Sequence, residues 1–177
     1  MARLFLTCGL LLAALSLSAY GDEKHDHAAP APPTNAGLEK MKTLVGTWVV
    51  ADKDGKPTDE VVSVVKLTAG GSAVHETFFP GQPHEMVSLY TAEGPDVMLT
   101  HYCMLGNQPQ MRATPKAGDK SVAFKFVKAT NLKSDNDMCM RNATFTFVDN
   151  DTLKSEWSLF QDGKELDKAV FELKRKK

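Results

Sequence analysis

The chain has 177 residues, a formal net charge of −1, and a composition that is 42% hydrophobic and 8% aromatic. A charge this close to zero argues against a nucleic-acid partner, because proteins that bind nucleic acids carry a basic excess. The length suits one domain with its own hydrophobic core.

The first segment, residues 1–21, has the pattern of a secretory signal peptide: one cation, an apolar run, and small residues at the end. We expect cleavage after Gly21. A permanent membrane anchor is the alternative, but the apolar run is slightly short for a bilayer. Tyr20 stands where a lipoprotein signal would carry its cysteine. We therefore expect a periplasmic or secreted protein with no stable membrane anchor after cleavage.

Residues 22–36 are polar and then rich in Ala and Pro, which predicts a disordered linker. The remaining residues, 37–177, form the predicted domain. It begins with "NAGLEKMKTLVG", in which apolar residues recur at helical spacing. Asn35 is the expected helix cap and Gly46 the expected stop.

After Gly46 the sequence breaks into short β-like runs separated by turn residues. The predicted strands are roughly 47–52, 59–67, 72–79, 85–92, 96–104, 109–115, 120–128, 141–149, 152–161 and 165–174. Asp162-Gly163 favours a tight hairpin turn.

Several of these runs alternate apolar and polar residues, as in Val122, Phe124 and Phe126, which predicts strands with one buried face. A flat sheet of about ten antiparallel strands would expose two long edges, and closure removes them. The predicted fold class is therefore all-β: a single antiparallel up-and-down β-barrel of about ten strands, with one short N-terminal helix.

Two cysteines, Cys103 and Cys139, remain after signal cleavage has removed Cys8. An even count in an oxidising compartment predicts a disulfide between them. It would close a loop of about 36 residues and contribute about 3–4 kcal/mol. The alternatives are two buried free thiols, or a metal site that would need further ligands.

The motif "LVGTW", residues 44–48, lies between the helix and a β meander. This arrangement resembles the calycin-type barrels: lipocalins, fatty-acid-binding proteins and nitrobindin-like haem barrels. The resemblance implies that Trp48 plugs one barrel end and that Lys174 or Arg175 covers it.

A second likeness is carried by "GGSAVHETFFPG" and "THYCMLGNQPQM". These segments are similar to a group of bacterial exported lipocalin-like proteins of unknown function. The resemblance covers residues 38–174. It implies the barrel and supplies no established activity.

The stretch "LTHYCMLGNQP", residues 99–109, holds the main candidate for ligand contact, His101. On a strand His101 shares a face with Leu99 and Cys103, whereas Tyr102 lies on the opposite face. If the Leu99 face points inward, His101 enters the interior and Cys103 lies at the rim. His101 then contacts a ligand, coordinates haem or a metal, or is held by a hydrogen bond within a filled interior.

The other candidates for ligand contact come from strands and one turn. His75 and Glu76 are neighbours and face opposite sides of a strand, so they cannot act together on one molecule. The amides at 107 and 108 either line a cavity mouth or satisfy local backbone groups. The full set is His75, Glu76, Tyr102, Asn107, Gln108 and Trp157.

Six methionines suit either an adaptable pocket or ordinary core filling: Met86, Met98, Met104, Met111, Met138 and Met140. We find no nucleophile elbow, phosphate loop, His-Glu-x-x-His or Cys-x-x-Cys motif. We therefore expect no catalytic residue, no metal site and no cofactor.

The predicted function is an exported lipocalin-like barrel that binds a small apolar or amphipathic ligand, since ten strands are wide enough to enclose a cavity. One alternative is a haem- or metal-binding barrel of the nitrobindin-like type. The other is a ligand-free structural or interaction protein of the cell envelope. The oligomeric state stays open.

Overall fold

The computed structural model describes residues 35–177. The predicted signal peptide, and the predicted linker up to residue 34, lie outside the described residues. The elements are α1 (Ala36–Lys42), β1 (Gly46–Ala51), β2 (Pro57–Thr68), a 3₁₀ turn (Ala69–Gly71), β3 (Ala73–Phe78), β4 (Met86–Glu93), β5 (Asp96–Tyr102), β6 (Gln108–Ala113), β7 (Ser121–Thr130), β8 (Cys139–Phe147), β9 (Thr152–Gln161) and β10 (Lys164–Arg175).

The ten strands form a closed antiparallel barrel in which each strand pairs with its neighbours in sequence and β1 pairs with β10. At the point of closure, Trp48 lies opposite Ser63 of β2 on one side and Arg175 of β10 on the other. The predicted all-β fold class, an up-and-down barrel of ten strands with one short helix, is confirmed.

The helix α1 covers one end of the barrel. The Asn35 side chain accepts a hydrogen bond from the Leu38 amide at 2.8 Å, as expected of a helix cap. Its Nδ2 also donates to the carbonyls of Gly94 and Asp96, which tie the helix to the turn between β4 and β5. The helix ends at Lys42, before the predicted stop. Within residues 35–177, no helix combines the length and apolar character needed to cross a bilayer.

Aromatic rings fill the middle of the barrel. Phe145 lies edge-on to Tyr90, Phe124 and Trp157, with ring centroids 5.9, 6.0 and 5.9 Å away. Such edge-to-face pairs are favourable beyond the area that they bury. These rings pack against one another in the middle of the barrel, between α1 and the level of Trp157.

The predicted disulfide between Cys103 and Cys139 is wrong, because both are buried free thiols. Strands β6 and β7 stand between β5 and β8 in the wall. The loop after β5 nevertheless brings Cys103 close enough to raise the pKa of Cys139, but the two sulfur atoms are not bonded. The Cys139 thiol instead donates to the Met140 carbonyl at 3.4 Å. Burial raises the pKa of both thiols, to about 11 for Cys139.

Candidate functional site

An apolar pocket lies at the barrel end away from α1, which we call the open end. The turn between β4 and β5 contacts α1, whereas this pocket lies at the opposite ends of those strands. Its volume is about 120 Å³. An engineered cavity of about 150 Å³ holds benzene, so the pocket matches a molecule of one ring. Its walls are Phe78, Phe79, Met86, His101, Met140, Trp157, Ala169 and Phe171.

The inward face of β5 decides which of its side chains reach this pocket. Val97, Leu99 and His101 are buried, whereas Tyr102 is 47% exposed. The sequence left this face undetermined because both faces carry apolar residues. The structure turns the Leu99 face inward, and His101 is the last inward side chain before the rim.

His101 is the one ionisable side chain among the described residues that line the pocket. It is 3% exposed, and its Nδ1 lies 2.9 Å from Ser88 Oγ. The ring lies against Trp157, with 4.9 Å between centroids. Within residues 35–177 the ring forms its one side-chain hydrogen bond through Nδ1 and none through its other nitrogen, Nε2. Burial lowers the pKa of His101 to about 4, so the imidazole is neutral at pH 7.

A buried carboxyl lies behind His101. Glu76, Ser88 and His101 occupy one row across β3, β4 and β5. Tyr90 Oη donates to Glu76 Oε2 at 2.5 Å. Burial raises the pKa of Glu76 to about 7, against the opposing influence of the Tyr90 and Ser63 hydroxyls. Among the described residues, Ser63 Oγ has no partner at hydrogen-bond geometry, so its hydroxyl influences the pKa of Glu76 from nearby without a formed bond. Burial and the neighbouring Glu76 raise the pKa of Tyr90 as well.

Trp157 forms one wall of the pocket. Its indole Nε1 donates to Ser155 Oγ at 2.9 Å, which fixes the ring. Phe78 lies edge-on to it at 5.4 Å. Ala169 stands directly opposite on β10. Because alanine is small, this pairing leaves the space that the pocket occupies.

Five of the candidates predicted from sequence lie outside the pocket: Glu76, which is buried behind His101, and four residues nearer the surface or the rim. His75 is on the outer face of β3, where burial and then Lys66 lower its pKa. Tyr102 points outward at the end of β5. Asn107 Nδ2 donates to a backbone carbonyl just before β8, and Gln108 Nε2 donates to the Gly106 carbonyl. These two amides satisfy backbone groups near the rim.

Phe79 and Phe171 are pocket residues that sequence reasoning missed. Phe79 has a φ of +50°, in the left-handed region that a bulky residue rarely adopts. This conformation places its ring 5.9 Å from Phe171 and 4.6 Å from His84. The available signal was the turn "PGQP" directly after Phe79, because the chain reverses there at the barrel mouth.

The opposite end of the barrel is closed by Trp48 and Arg175. The guanidinium lies 4.4 Å from the Trp48 ring centroid. It also donates to the carbonyls of Val45 at 2.6 Å and Thr43 at 2.9 Å, while Trp48 Nε1 donates to the Leu44 carbonyl. A cavity of about 300 Å³ lies beside this pair. Its lining includes Trp48 and Arg175, whose polar groups already form the contacts that hold α1 against the barrel.

A haem group, which the nitrobindin-like alternative requires, does not fit the residues present. Pockets for drug-sized molecules measure about 300–1,000 Å³, and a tetrapyrrole is larger still than the space of about 120 Å³ around His101. Across residues 35–177, no three His, Cys, Asp or Glu side chains form a group that would hold a metal ion.

Comparison with known proteins gives no assignment. No family model matches the chain, and no curated protein matches it. The functional conclusion therefore depends on the geometry of the pocket.

Proposed function

We propose that this chain is an exported lipocalin-like barrel that binds a small apolar or amphipathic ligand in the pocket at its open end. The observation that carries the proposal is a cavity of about 120 Å³ with apolar walls and one buried polar side chain, His101. Ligand pockets commonly combine hydrophobic and aromatic walls with a few placed polar groups. Here the apolar walls would supply most of the affinity for the ligand, and a polar contact with His101 would fix the ligand's orientation.

The proposal includes no catalytic step. General acid–base and nucleophilic catalysis need a second reactive group within hydrogen-bond reach of the first. The other pocket walls are phenylalanine, methionine, tryptophan and alanine side chains. Glu76 lies behind the wall, and its carboxyl is held by Tyr90.

A fluorescence titration tests binding at this pocket. Trp48→Phe leaves Trp157, in the pocket wall, as the single tryptophan. Toluene, a one-ring apolar probe, is then titrated while Trp157 emission is recorded. We expect a saturable change in emission, because the probe would contact the indole.

A pair of neighbouring variants on β10 supplies the control. Ala169→Phe fills the pocket, whereas Val170→Phe adds the same ring on the outer face, where Val170 is 47% exposed. We expect Ala169→Phe to abolish the response and Val170→Phe to retain it. An absence of any response in the parent protein would favour a ligand-free structural protein of the envelope.

The exported location depends on the signal pattern of residues 1–21. Expression of the full chain in a Gram-negative host, followed by cell fractionation, tests it. We expect the protein in the periplasmic fraction, shortened at the site after Gly21. Full-length protein that stays in the cytoplasm would contradict this part of the proposal.

A further inference from the structure

The backbone conformation of Phe79 is unfavourable for its residue type. Its φ is +50°, in the left-handed region, where a bulky side chain is rarely found. Phe79 also precedes Pro80, and a proline favours an extended conformation with negative φ in the residue before it. A glycine would adopt this backbone readily because it has no side chain. The surrounding chain must therefore hold Phe79 in this conformation.

The loop between β3 and β4 supplies this constraint. The Phe79 amide donates to the Val62 carbonyl of β2 at 2.8 Å, and the Phe79 carbonyl accepts from the Gln82 amide at 3.0 Å. A second turn follows, in which the Glu85 amide donates to the Gln82 carbonyl at 2.9 Å. The Gly81 amide donates to the Glu85 carboxylate at 2.6 Å. Each turn has a proline at its second position, where the fixed φ of proline stiffens it.

The Phe79 ring is carried by this stiff loop to the edge of the pocket. It is one of the pocket walls, and its centroid lies 5.9 Å from that of Phe171, another wall. It also lies 4.6 Å from the ring of His84, which belongs to the loop and does not line the pocket. Loss of the Phe79 ring would therefore extend the pocket toward His84.

The other pocket walls are side chains of the barrel strands, whereas Phe79 lies just beyond the end of β3. The strand side chains are fixed in direction by the pleat and register of the barrel. A change at Phe79 can therefore alter the size of the pocket without a change in the barrel wall.

We propose that Phe79 determines the size specificity of the pocket: its ring restricts the ligand to one ring. The pocket of about 120 Å³ is close to the size that holds benzene. In the absence of the Phe79 ring, the second ring of a fused ligand would take its place and meet the same partners, Phe171 and His84. This inference rests on the proposed function, because it names the size class of the ligand of the same pocket.

Phenol and 2-naphthol test this limit by calorimetry at about pH 7. Each carries one hydroxyl that keeps its hydrogen at this pH, so the two probes differ by one fused ring. The full chain is compared with Phe79→Gly, which removes the ring and suits the backbone. His84→Ala is the matched control, because it changes the same loop and leaves the Phe79 ring in the pocket wall.

In the parent protein we expect 2-naphthol to bind no more tightly than phenol, although its apolar surface is larger. In Phe79→Gly the phenol-to-2-naphthol ratio of dissociation constants should rise about tenfold, because the added ring would be buried. His84→Ala should keep the ratio of the parent protein.

Phenol binding with the same ratio in the parent and in Phe79→Gly would overturn the inference and leave the proposed function standing. Tighter binding of 2-naphthol than of phenol by the parent would do the same. An equal rise in His84→Ala and Phe79→Gly would show that the loop, and not the Phe79 ring, sets the limit. No binding of either probe by any of these proteins would overturn both the inference and the proposed function.

Phe79→Ala gives a second test, because it removes the same ring without the added flexibility of glycine. The ratio of dissociation constants should rise in this variant as well. Since both variants lack the ring, their urea denaturation midpoints compare the backbone alone. We expect the higher midpoint in Phe79→Gly, because alanine is disfavoured at positive φ. A higher midpoint in Phe79→Ala would overturn the claim that the loop holds Phe79 in the left-handed region.

Discussion

Ser88 Oγ lies 2.9 Å from His101 Nδ1, and the two residues are direct partners in the register of β4 and β5. The same Ser88 is the register partner of Glu76 on its other side. One hydroxyl therefore stands between the polar side chain of the pocket and a buried carboxyl. The charge state near the pocket therefore depends on side chains from three adjacent strands, β3, β4 and β5.

The first prediction is that His101 and Glu76 change the free energy of unfolding in opposite directions as the pH falls. The folded pKa of His101 is about 4 against 6.5 for an unperturbed histidine, so the unfolded chain binds the proton better and the free energy of unfolding falls as pH drops through this window. The folded pKa of Glu76 is about 7 against 4.5, so the folded chain binds that proton better. Each group can change the free energy of unfolding by about 3 kcal/mol once the pH has crossed both of its pKa values. Because the two changes have opposite signs, we expect them to nearly cancel between about pH 7 and about pH 4.

Single substitutions should separate the two effects in urea denaturation. In Glu76→Gln the effect of His101 is no longer balanced, so the free energy of unfolding should fall by about 2 kcal/mol between about pH 6.5 and about pH 5. His75, whose pKa is also lowered, acts in the same direction as His101. His101→Leu should instead become more stable over that range. Asp137 and Asp149, whose pKa values are lowered, act only at more acidic pH. Parallel curves for the parent and both variants would contradict the prediction.

Arg175→Lys should destabilise the closed end although the charge is kept. The guanidinium bonds the carbonyls of Thr43 and Val45 and lies over Trp48, and a single ammonium cannot reproduce this fork. We expect a loss of about 1–3 kcal/mol in unfolding free energy. Lys177→Ala is the control, since its side chain is 88% exposed and should change little. Equal stability of Arg175→Lys and the parent would show that the fork is not needed.

Gly37→Ala should destabilise the protein against the usual helix preference. Alanine is favoured over glycine in a helix by about 1 kcal/mol. A Cβ at Gly37, however, would lie 2.6 Å from Pro115 Cγ and 3.0 Å from Val97 Cγ1. We expect a lower melting temperature because α1 would have to move away from the barrel. A higher melting temperature would mean that this close approach relaxes without cost.

Both internal cysteines should be free in protein purified without reductant. After denaturation, iodoacetamide should modify Cys103 and Cys139 in full, as peptide mass spectrometry would show. In the folded protein the reaction should be slow, because both thiols are buried and a pKa of about 11 leaves Cys139 almost without thiolate at neutral pH. A Cys103–Cys139 linked peptide would contradict the structure.

The wall of the barrel was predictable from local sequence. Alternating apolar residues and turn residues define strands without knowledge of the rest of the chain. Asn35 likewise caps α1 through its own side chain, three residues from its partner. Each of these signals is contained in a few consecutive residues.

The pocket was only partly predictable because it depends on contacts between distant strands. His101 could be found from its place on one strand, but its inward direction depended on the register of the whole barrel. Phe171 enters the pocket because β10 brings it beside Phe79, far away in sequence. The disulfide prediction failed for the same reason. An even number of cysteines carries no information about how far apart they lie in the folded chain.

Native mass spectrometry of the protein, exported by a bacterial host and purified without refolding, tests the central claim most directly. We expect a population with added mass that leaves under mild collisional activation, and that is absent in Ala169→Phe but present in Val170→Phe. The added mass would correspond to a neutral molecule of about one ring. A bare protein mass in the parent, together with no uptake of toluene or phenol, would contradict the claim that this barrel is a binding protein.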